Sequence, residues 1–132
     1  MNPTIRLATE ADLRFIRSSW FDSYWHCSAK KKVEGVVYRT EMRRNVERLL
    51  ARSVVLVAFF SEVPDEVLGW SANEGSTCHY VYVKGDYRRR GIGKGLVPPE
   101  VVYYSHATDA HGRLFANDVK LKFNPFKTQE HP

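Results

Sequence analysis

Apolar residues along this chain recur with two different periods, and each change of period marks a new element. Thr4 to Ala8 (TIRLA) alternates with period two, placing Ile5 and Leu7 on one face, and predicts a first strand. Thr9-Glu10-Ala11-Asp12 then reads as a capping-box-like start in which the Thr9 hydroxyl accepts from the amide near Asp12. Leu13, Ile16 and Trp20 recur at helical spacing, and Phe21 and Tyr24 extend the stripe, so a helix runs from about Glu10 to Tyr24. Trp25 to Gly35 has no period and reads as irregular. A second helix over about Val37 to Ala51 buries Met42, Val46, Leu49 and Leu50 and turns Arg39, Arg43, Arg44, Glu47 and Arg48 to water.

The middle of the chain switches to strand patterns. Ser53 to Phe60 (SVVLVAFF) is a continuous apolar run, expected of a strand covered on both faces. Val63-Pro64-Asp65 turns, Glu66 to Asn73 returns, Glu74-Gly75-Ser76 turns again, and Thr77 to Lys84 (TCHYVYVK) makes a fourth strand. Short turns between these three strands predict an antiparallel meander. Gly69, inside a strand, marks a bulge or a close backbone approach. After a Gly85-Asp86 turn and a basic loop comes a short helix, stopped by Pro98-Pro99 because proline lacks an amide donor and restricts the residue before it. Glu100 to His106 (EVVYYSH) reads as a fifth strand, parallel to the fourth through a right-handed crossover. Asp109 to Ala116 suggests a helical turn, Val119 to Phe123 an edge strand, Asn124-Pro125-Phe126 a closing turn, and Lys127 to Pro132 a frayed tail. With no repeat or linker, residues 1–132 form one α+β domain: a mixed sheet, mostly antiparallel, its fourth and fifth strands parallel and splayed, flanked by helices.

Composition narrows the class. The hydrophobic fraction of 43% over 132 residues describes a soluble globular chain and argues against disorder. No apolar run approaches the ~18 residues of a membrane span, and no leader-like apolar segment opens the chain, so a cytoplasmic setting is expected. Cys27 and Cys78 lie far apart without metal-like spacing, and read as free thiols. His26-Cys27 and His106 with His111 also lack partners at ligand spacing, so no metal site is assigned. The net charge of +5 favours anionic ligands. Much of it sits in the basic loop and in Lys30-Lys31-Lys32, which reads as a solvated loop, so nucleic acid is not singled out.

The basic loop carries the strongest chemical signal. Arg88, Arg89, Arg90, Gly91, Ile92, Gly93 and Lys94 follow a strand and open a helix with Leu96 on its apolar side. Glycine tolerates positive φ and lets a phosphate approach the main chain, the helix start adds amide donors and partial positive charge, and arginines add planar donor forks. The segment therefore reads as a phosphate-binding loop. A G-x-x-x-x-G-K-S/T loop is absent, and Gly91-x-Gly93 lacks the G-x-G-x-x-G spacing of a dinucleotide fold.

Arg88 to Gly93 fits the R/Q-x-x-G-x-G/A loop of the GNAT superfamily of acyl-CoA N-acyltransferases, and Val81-Tyr82-Val83, Asp86-Tyr87-Arg88 and the A-T-E-A-D opening resemble that family too. The resemblance spans roughly Pro3 to His106, and the short ending with F-N-P-F is similar to compact GNAT-like proteins encoded by bacteriophages. It implies acetyl-CoA as acyl donor. Pantetheine would pair with the backbone of Val81, Tyr82 and Val83, pyrophosphate would lie on Arg88, Arg89, Arg90, Gly91, Ile92, Gly93 and Lys94, and an amide near Val83 would serve the oxyanion. The two-helix region would border an unknown amine acceptor, with Trp20, Trp25 and Tyr38 as candidate lining and core packing as their plainer role.

The family's catalytic pattern is only partly present. Many members carry a carboxylate base on the fourth strand and a tyrosine acid after the fifth. Here no Asp or Glu lies between Thr77 and Lys84, and Phe115 is the aromatic residue after the fifth strand. His79 is the nearest titratable candidate for a base, with an ordinary pKa of about 6.5, and His106 with Tyr104 lies near the end of the fifth strand. No G-x-S-x-G nucleophile elbow is present. The resemblance thus supports two readings: an N-acetyltransferase, or a GNAT-like protein that keeps the CoA loop but acts by docking a host protein.

Overall fold

A computed structural model describes residues 2–25, 35–88, 90–105, 121–124 and 126–127. Strand β1 (Pro3–Leu7) leads into helix α1 (Glu10–Trp25) through a corner held by charge. The Asp12 carboxylate accepts from the Thr9 amide at 2.8 Å and the Thr9 hydroxyl at 3.1 Å, and Arg6 grips it at 2.6 and 3.1 Å. The expected capping box is therefore half reversed. The Thr9 hydroxyl donates to Asp12, while the Asp12 amide bonds the Thr9 carbonyl at 3.0 Å. The hydrogen bond from Arg6 outweighs partial burial and holds the Asp12 carboxyl below the usual carboxylate range, so it stays a charged acceptor.

Helix α1 buries Ile16 and Trp20 completely, and helix α2 (Gly35–Arg52) buries Val46 and Leu49, as the helical stripes predict. Each such side chain contributes roughly 1.5–3 kcal/mol on burial, which is what docks these two mostly polar helices. They cover one face of a six-stranded sheet of order β1-β2-β3-β4-β5-β6. Its remaining strands are β2 (Val54–Phe60), β3 (Gly69–Glu74), β4 (Thr77–Val83), β5 (Tyr103–Tyr104) and β6 (Lys122–Phe123). The first four run antiparallel to their neighbours, and β4, β5 and β6 run parallel.

The fifth strand is shorter than the expected Glu100 to His106. The segment after Pro98-Pro99 first turns, Val101 N bonding Pro98 O at 3.1 Å, and the amides of Val102 and Tyr103 then both converge on Ser76 O. Only Tyr103 and Tyr104 remain to pair with Thr77 and Cys78. The third strand starts at Gly69 rather than Glu66, and the edge strand occupies two residues of the expected Val119 to Phe123. Residues 26–34 of the irregular segment, His106, the Asp109 to Ala116 turn and residues 128–132 of the tail lie outside the described residues.

Two cores flank the sheet, and β4 contributes to both. On the α1–α2 side Trp20, Trp70 and Tyr80 form a cluster with ring centroids 5.2–5.5 Å apart, while Tyr82 lies 6.2 Å from Trp70. Trp20 is thus a core residue, and the Trp70 indole donates to Ser19 Oγ at 2.8 Å. The opposite core gathers Ala58, Leu68, Cys78, Val81, Leu96 and Val101. Cys78 and Tyr80 are two residues apart yet serve opposite cores, which a regular strand forbids. A register shift explains it: Ala72 pairs with Tyr80 and Asn73 with Cys78, leaving His79 as the extra residue of a β-bulge.

Of the two expectations for Gly69, close approach is the one realised. A Cβ there would stand 2.5 Å from Tyr82 O and 3.3 Å from both Leu96 Cδ1 and Val83 Cα, whereas the bulge lies opposite Ala72 and Asn73. Among the described residues, no helix is long and apolar enough to cross a membrane.

Two measurements check this architecture. Gly69→Ala forces β3 and β4 apart and is expected to lower unfolding free energy by about 1–3 kcal/mol in denaturant titration; an unchanged midpoint would contradict the contact. Burial pushes the Cys78 thiol up to about 12. Peptide mapping after iodoacetamide treatment is therefore expected to find Cys78 unmodified in native protein and modified once denaturant is added.

Candidate functional site

The bulge decides which backbone groups of β4 face β3 and which face the β5 side. Below it, Cys78 O accepts from Ser105 N at 3.2 Å, so β4 is paired with the β5 side. Above it, Lys84 N bonds Leu68 O at 2.9 Å on the β3 side, and strand alternation turns the amides of Val83 and Val81 toward the β5 side. Among the described residues, β4 pairs with β5 through Thr77 with Tyr103 and Cys78 with Tyr104. Val81, Tyr82 and Val83 follow this stretch on β4 and lead toward the basic loop. Val81 is buried and Tyr82 and Val83 are half-buried.

Beyond β4, a 3₁₀ turn (Gly85–Tyr87) carries the chain into the basic loop, and helix α3 (Ile92–Gly95) follows. Gly91 stands at the N-cap with φ of 80°, a left-handed conformation costing a residue with a Cβ roughly 1–2 kcal/mol. The first i→i−4 bond of α3 runs from Gly95 N to Gly91 O, so Ile92, Gly93 and Lys94 N–H groups precede the helical ladder and lie at its positive end. Arg88 Nε donates to Val83 O at 2.9 Å, tying the loop to the end of β4, and the Arg90 guanidinium lies over the Tyr87 ring at 5.8 Å. Both arginines are exposed, and Arg89 lies outside the described residues.

Helix α3 has only four residues and is held by its surroundings. Ile92 and Leu96 plug the second core, and Ser71 Oγ donates to Leu96 O at 2.7 Å while accepting from Asn73 Nδ2 at 2.9 Å. Buried polar groups on β3 thereby set the position of the loop two elements away.

His79 occupies the bulge and is fully buried. Its Nδ1 lies 2.7 Å from Ser105 Oγ, just past β5, and its Nε2 lies 2.8 Å from Glu74 Oε1 at the end of β3. Arg52, at the end of α2, contacts both carboxylate oxygens at 3.0 Å. Burial pushes the His79 imidazole down, and its hydrogen bond and attraction to Glu74 offset this only in part. Partial burial pushes the Glu74 carboxyl up, yet hydrogen bonds from His79 and Arg52 leave it below the usual range. At neutral pH the pair is thus a neutral imidazole against an ionised carboxylate.

The strand lacks a carboxylate of its own, but the hairpin supplies one. Glu74 pairs with Thr77, so His79 is its diagonal neighbour across the two-residue turn, a spacing readable from sequence only once that turn is placed. Ser105 and Arg52 carry no such signal. His106 and the side chains of Trp25 and Tyr38 lie outside the described residues, and Tyr104 packs at 5.3 Å against Phe123. No group of residues suited to a metal ion occurs among the described residues.

No protein-family model and no curated protein matches this chain. Solved structures do. The apo form of YjaB from Escherichia coli superposes with a TM-score of 0.53 at 22% identity, over 73% of this chain and 62% of that one. A GCN5-related N-acetyltransferase from Rhodopseudomonas palustris gives 0.50 at 16% identity, over 73% and 61%. A histone acetyltransferase HPA2 and related acetyltransferase from Corynebacterium glutamicum gives 0.50 at 18%, over 73% and 68%. This chain spans roughly three fifths of the first two structures. With its mixed six-stranded sheet, parallel β4 and β5, and neighbours of this kind, the chain has the fold of the GNAT N-acetyltransferases.

Proposed function

We propose that this protein is an N-acetyltransferase that moves an acetyl group from acetyl-CoA to an amine. The observation that carries the reading is the β4 edge beyond the bulge running into a loop whose Gly91 is left-handed and whose next three amides open α3. An extended acyl-pantetheine arm suits the backbone of Val81, Tyr82 and Val83, and a pyrophosphate suits the amides of Ile92, Gly93 and Lys94 with charge from Arg88, Arg89 and Arg90. In transfer, the amine nitrogen attacks the thioester carbonyl carbon, a C–N bond forms, the C–S bond breaks and the thiol leaves. The Val83 amide, turned away from β3, is the candidate oxyanion donor, and His79 is the candidate base. His106 is kept as a second candidate near the end of β5.

A protein that binds CoA yet acts by docking a host protein is the other reading. The absence of a carboxylate from β4 and the reduced C-terminal part suggest it, and Glu74 at 2.8 Å from His79 weakens the first of these.

Calorimetry with acetyl-CoA and a thiol-release assay over an amine panel separate the two. Binding with turnover is expected; tight binding without thiol release favours the docking protein. Gly91→Glu adds a strained Cβ and a negative charge where phosphate would sit. Losing two charge-assisted hydrogen bonds of about 1.5–3 kcal/mol each predicts an affinity loss of about 100-fold or more. Unchanged affinity would remove the loop from the binding site.

A further inference from the structure

Strand β1 stands at one end of the sheet, and among the described residues β2 is the strand it pairs with. Ala8 N bonds Val55 O at 2.9 Å, continuing the register in which Arg6 faces Val57 and Thr4 faces Phe59. Alternation therefore turns the amides and carbonyls of Thr4 and Arg6 toward β2, and turns those of Ile5 and Leu7, with the Pro3 carbonyl, outward. Two details break the uniformity of this outer edge. Pro3 has no N–H to present, and Leu7 O already accepts from Arg6 Nη1 at 3.1 Å. Side chains follow the same alternation: Ile5 is 36% and Leu7 64% exposed, on the face that continues into Leu56 and Ala58 of the second core.

An exposed edge of this kind is a template for another strand, and its two details say which strand fits. Set a second β1 antiparallel to the first, with a two-fold axis at Ile5. The Ile5 N–H of each copy then meets Ile5 O of the other, and each Leu7 N–H meets Pro3 O of the other. The donor that Pro3 lacks falls opposite Leu7 O, the acceptor that Arg6 fills, so every outward N–H has a C=O and no carbonyl waits on the proline. Partial charges thus complement one another position by position. Moving the axis to Arg6 destroys this match, because Ile5 N–H would face the occupied Leu7 O.

The side chains agree. Ile5 lies against its own copy and Leu7 against Pro3, an apolar seam on the second-core face. On the opposite face Arg6 comes diagonal to Arg6 of the other copy. Each guanidinium is held by Asp12 at 2.6 and 3.1 Å, so ion pairs and not bare cations approach there. Helices α1 and α2 pack mainly on β4 and β3, in the middle of the sheet rather than at its β1 end.

We infer that the outer edge of β1 is a docking site for a second copy of this chain, joining two six-stranded sheets across a two-fold axis at Ile5. A seam one strand long is small beside the ~800 Å² per partner of a standard complex, so the pairing belongs to the weak, concentration-dependent class. It is independent of acetyl transfer.

The test is sedimentation equilibrium of the full chain from about 1 μM to about 1 mM, the range of weak complexes. The wild type is expected to pass from monomer to dimer. Hydrogen-exchange NMR over the same range locates the contact. The outward amides of Ile5 and Leu7 are expected to gain about tenfold protection as dimer forms, while those of Thr4 and Arg6, bonded to β2, stay protected throughout. Leu7→Pro removes an N–H that β2 does not use and is expected to weaken dimerisation by about tenfold or more. Ile5→Lys and Ile5→Glu each set like charges against each other at the axis and are expected to be monomeric alone. Their equimolar mixture at low salt is expected to dimerise, which also shows that both variants fold. A wild type that stays monomeric to about 1 mM overturns the interface, and so does a monomer whose β1 takes up an extended peptide of another protein. A dimer that leaves the Ile5 and Leu7 amides unprotected, or that persists unweakened in Leu7→Pro and in each Ile5 variant, overturns it as well. Ile5 variants that keep native circular dichroism yet stay monomeric when mixed overturn the axis at Ile5.

Discussion

One extra residue in β4 organises this molecule. The bulge at His79 reverses the inside–outside order of the strand, so that Cys78 feeds one core and Tyr80 the other. It also sets the alternation above it, so that Lys84 N bonds Leu68 O on the β3 side while the amides of Val81 and Val83 turn to the other side. Were β4 regular, Tyr80 would leave the cluster with Trp20 and Trp70, and the edge that runs toward the basic loop would turn its amides to the wrong side. Core packing and site geometry thus share a single local irregularity, and aromatic contacts of about 0.5–1.5 kcal/mol each beyond burial help to hold it in place.

The parts of the fold with strong periodicity were legible in the sequence. Helix α1 follows from Leu13, Ile16 and Trp20, and the meander from three β-rich runs separated by short turns. The reading of Trp20 as core rather than site lining follows from its complete burial. Short elements were less legible. EVVYYSH has strand composition throughout, but the turn after Pro98-Pro99 and the double use of Ser76 O leave two residues for pairing, a tertiary effect that composition does not encode. The bulge was hidden for a similar reason: His79 has no local mark that distinguishes it from its neighbours, and only the register against Ala72 and Asn73 reveals it.

The site was legible in proportion to how local it is. The loop from Arg88 to Lys94 announces itself through adjacent arginines and glycines, and Gly91 has the left-handed backbone such a loop needs. The group around His79 does not, because its members come from α2, β3, β4 and the residue after β5. A search for a carboxylate within β4 misses Glu74 by three residues, although the hairpin brings it across. The same distributed logic places α3, whose carbonyl at Leu96 is held by Ser71.

The two-residue turn at Gly75 and Ser76 has a consequence for how this chain can vary. Gly75, at φ of 56°, lets β3 reverse tightly enough to bring Glu74 beside the bulge, while Ser76 O anchors the approach to β5. Lengthening most surface connections is cheap, but an inserted residue here would shift a carboxylate and a strand together. Loop length at this hairpin is therefore as strictly constrained as the identity of a buried side chain, and divergence of the sequence is channelled into other connections.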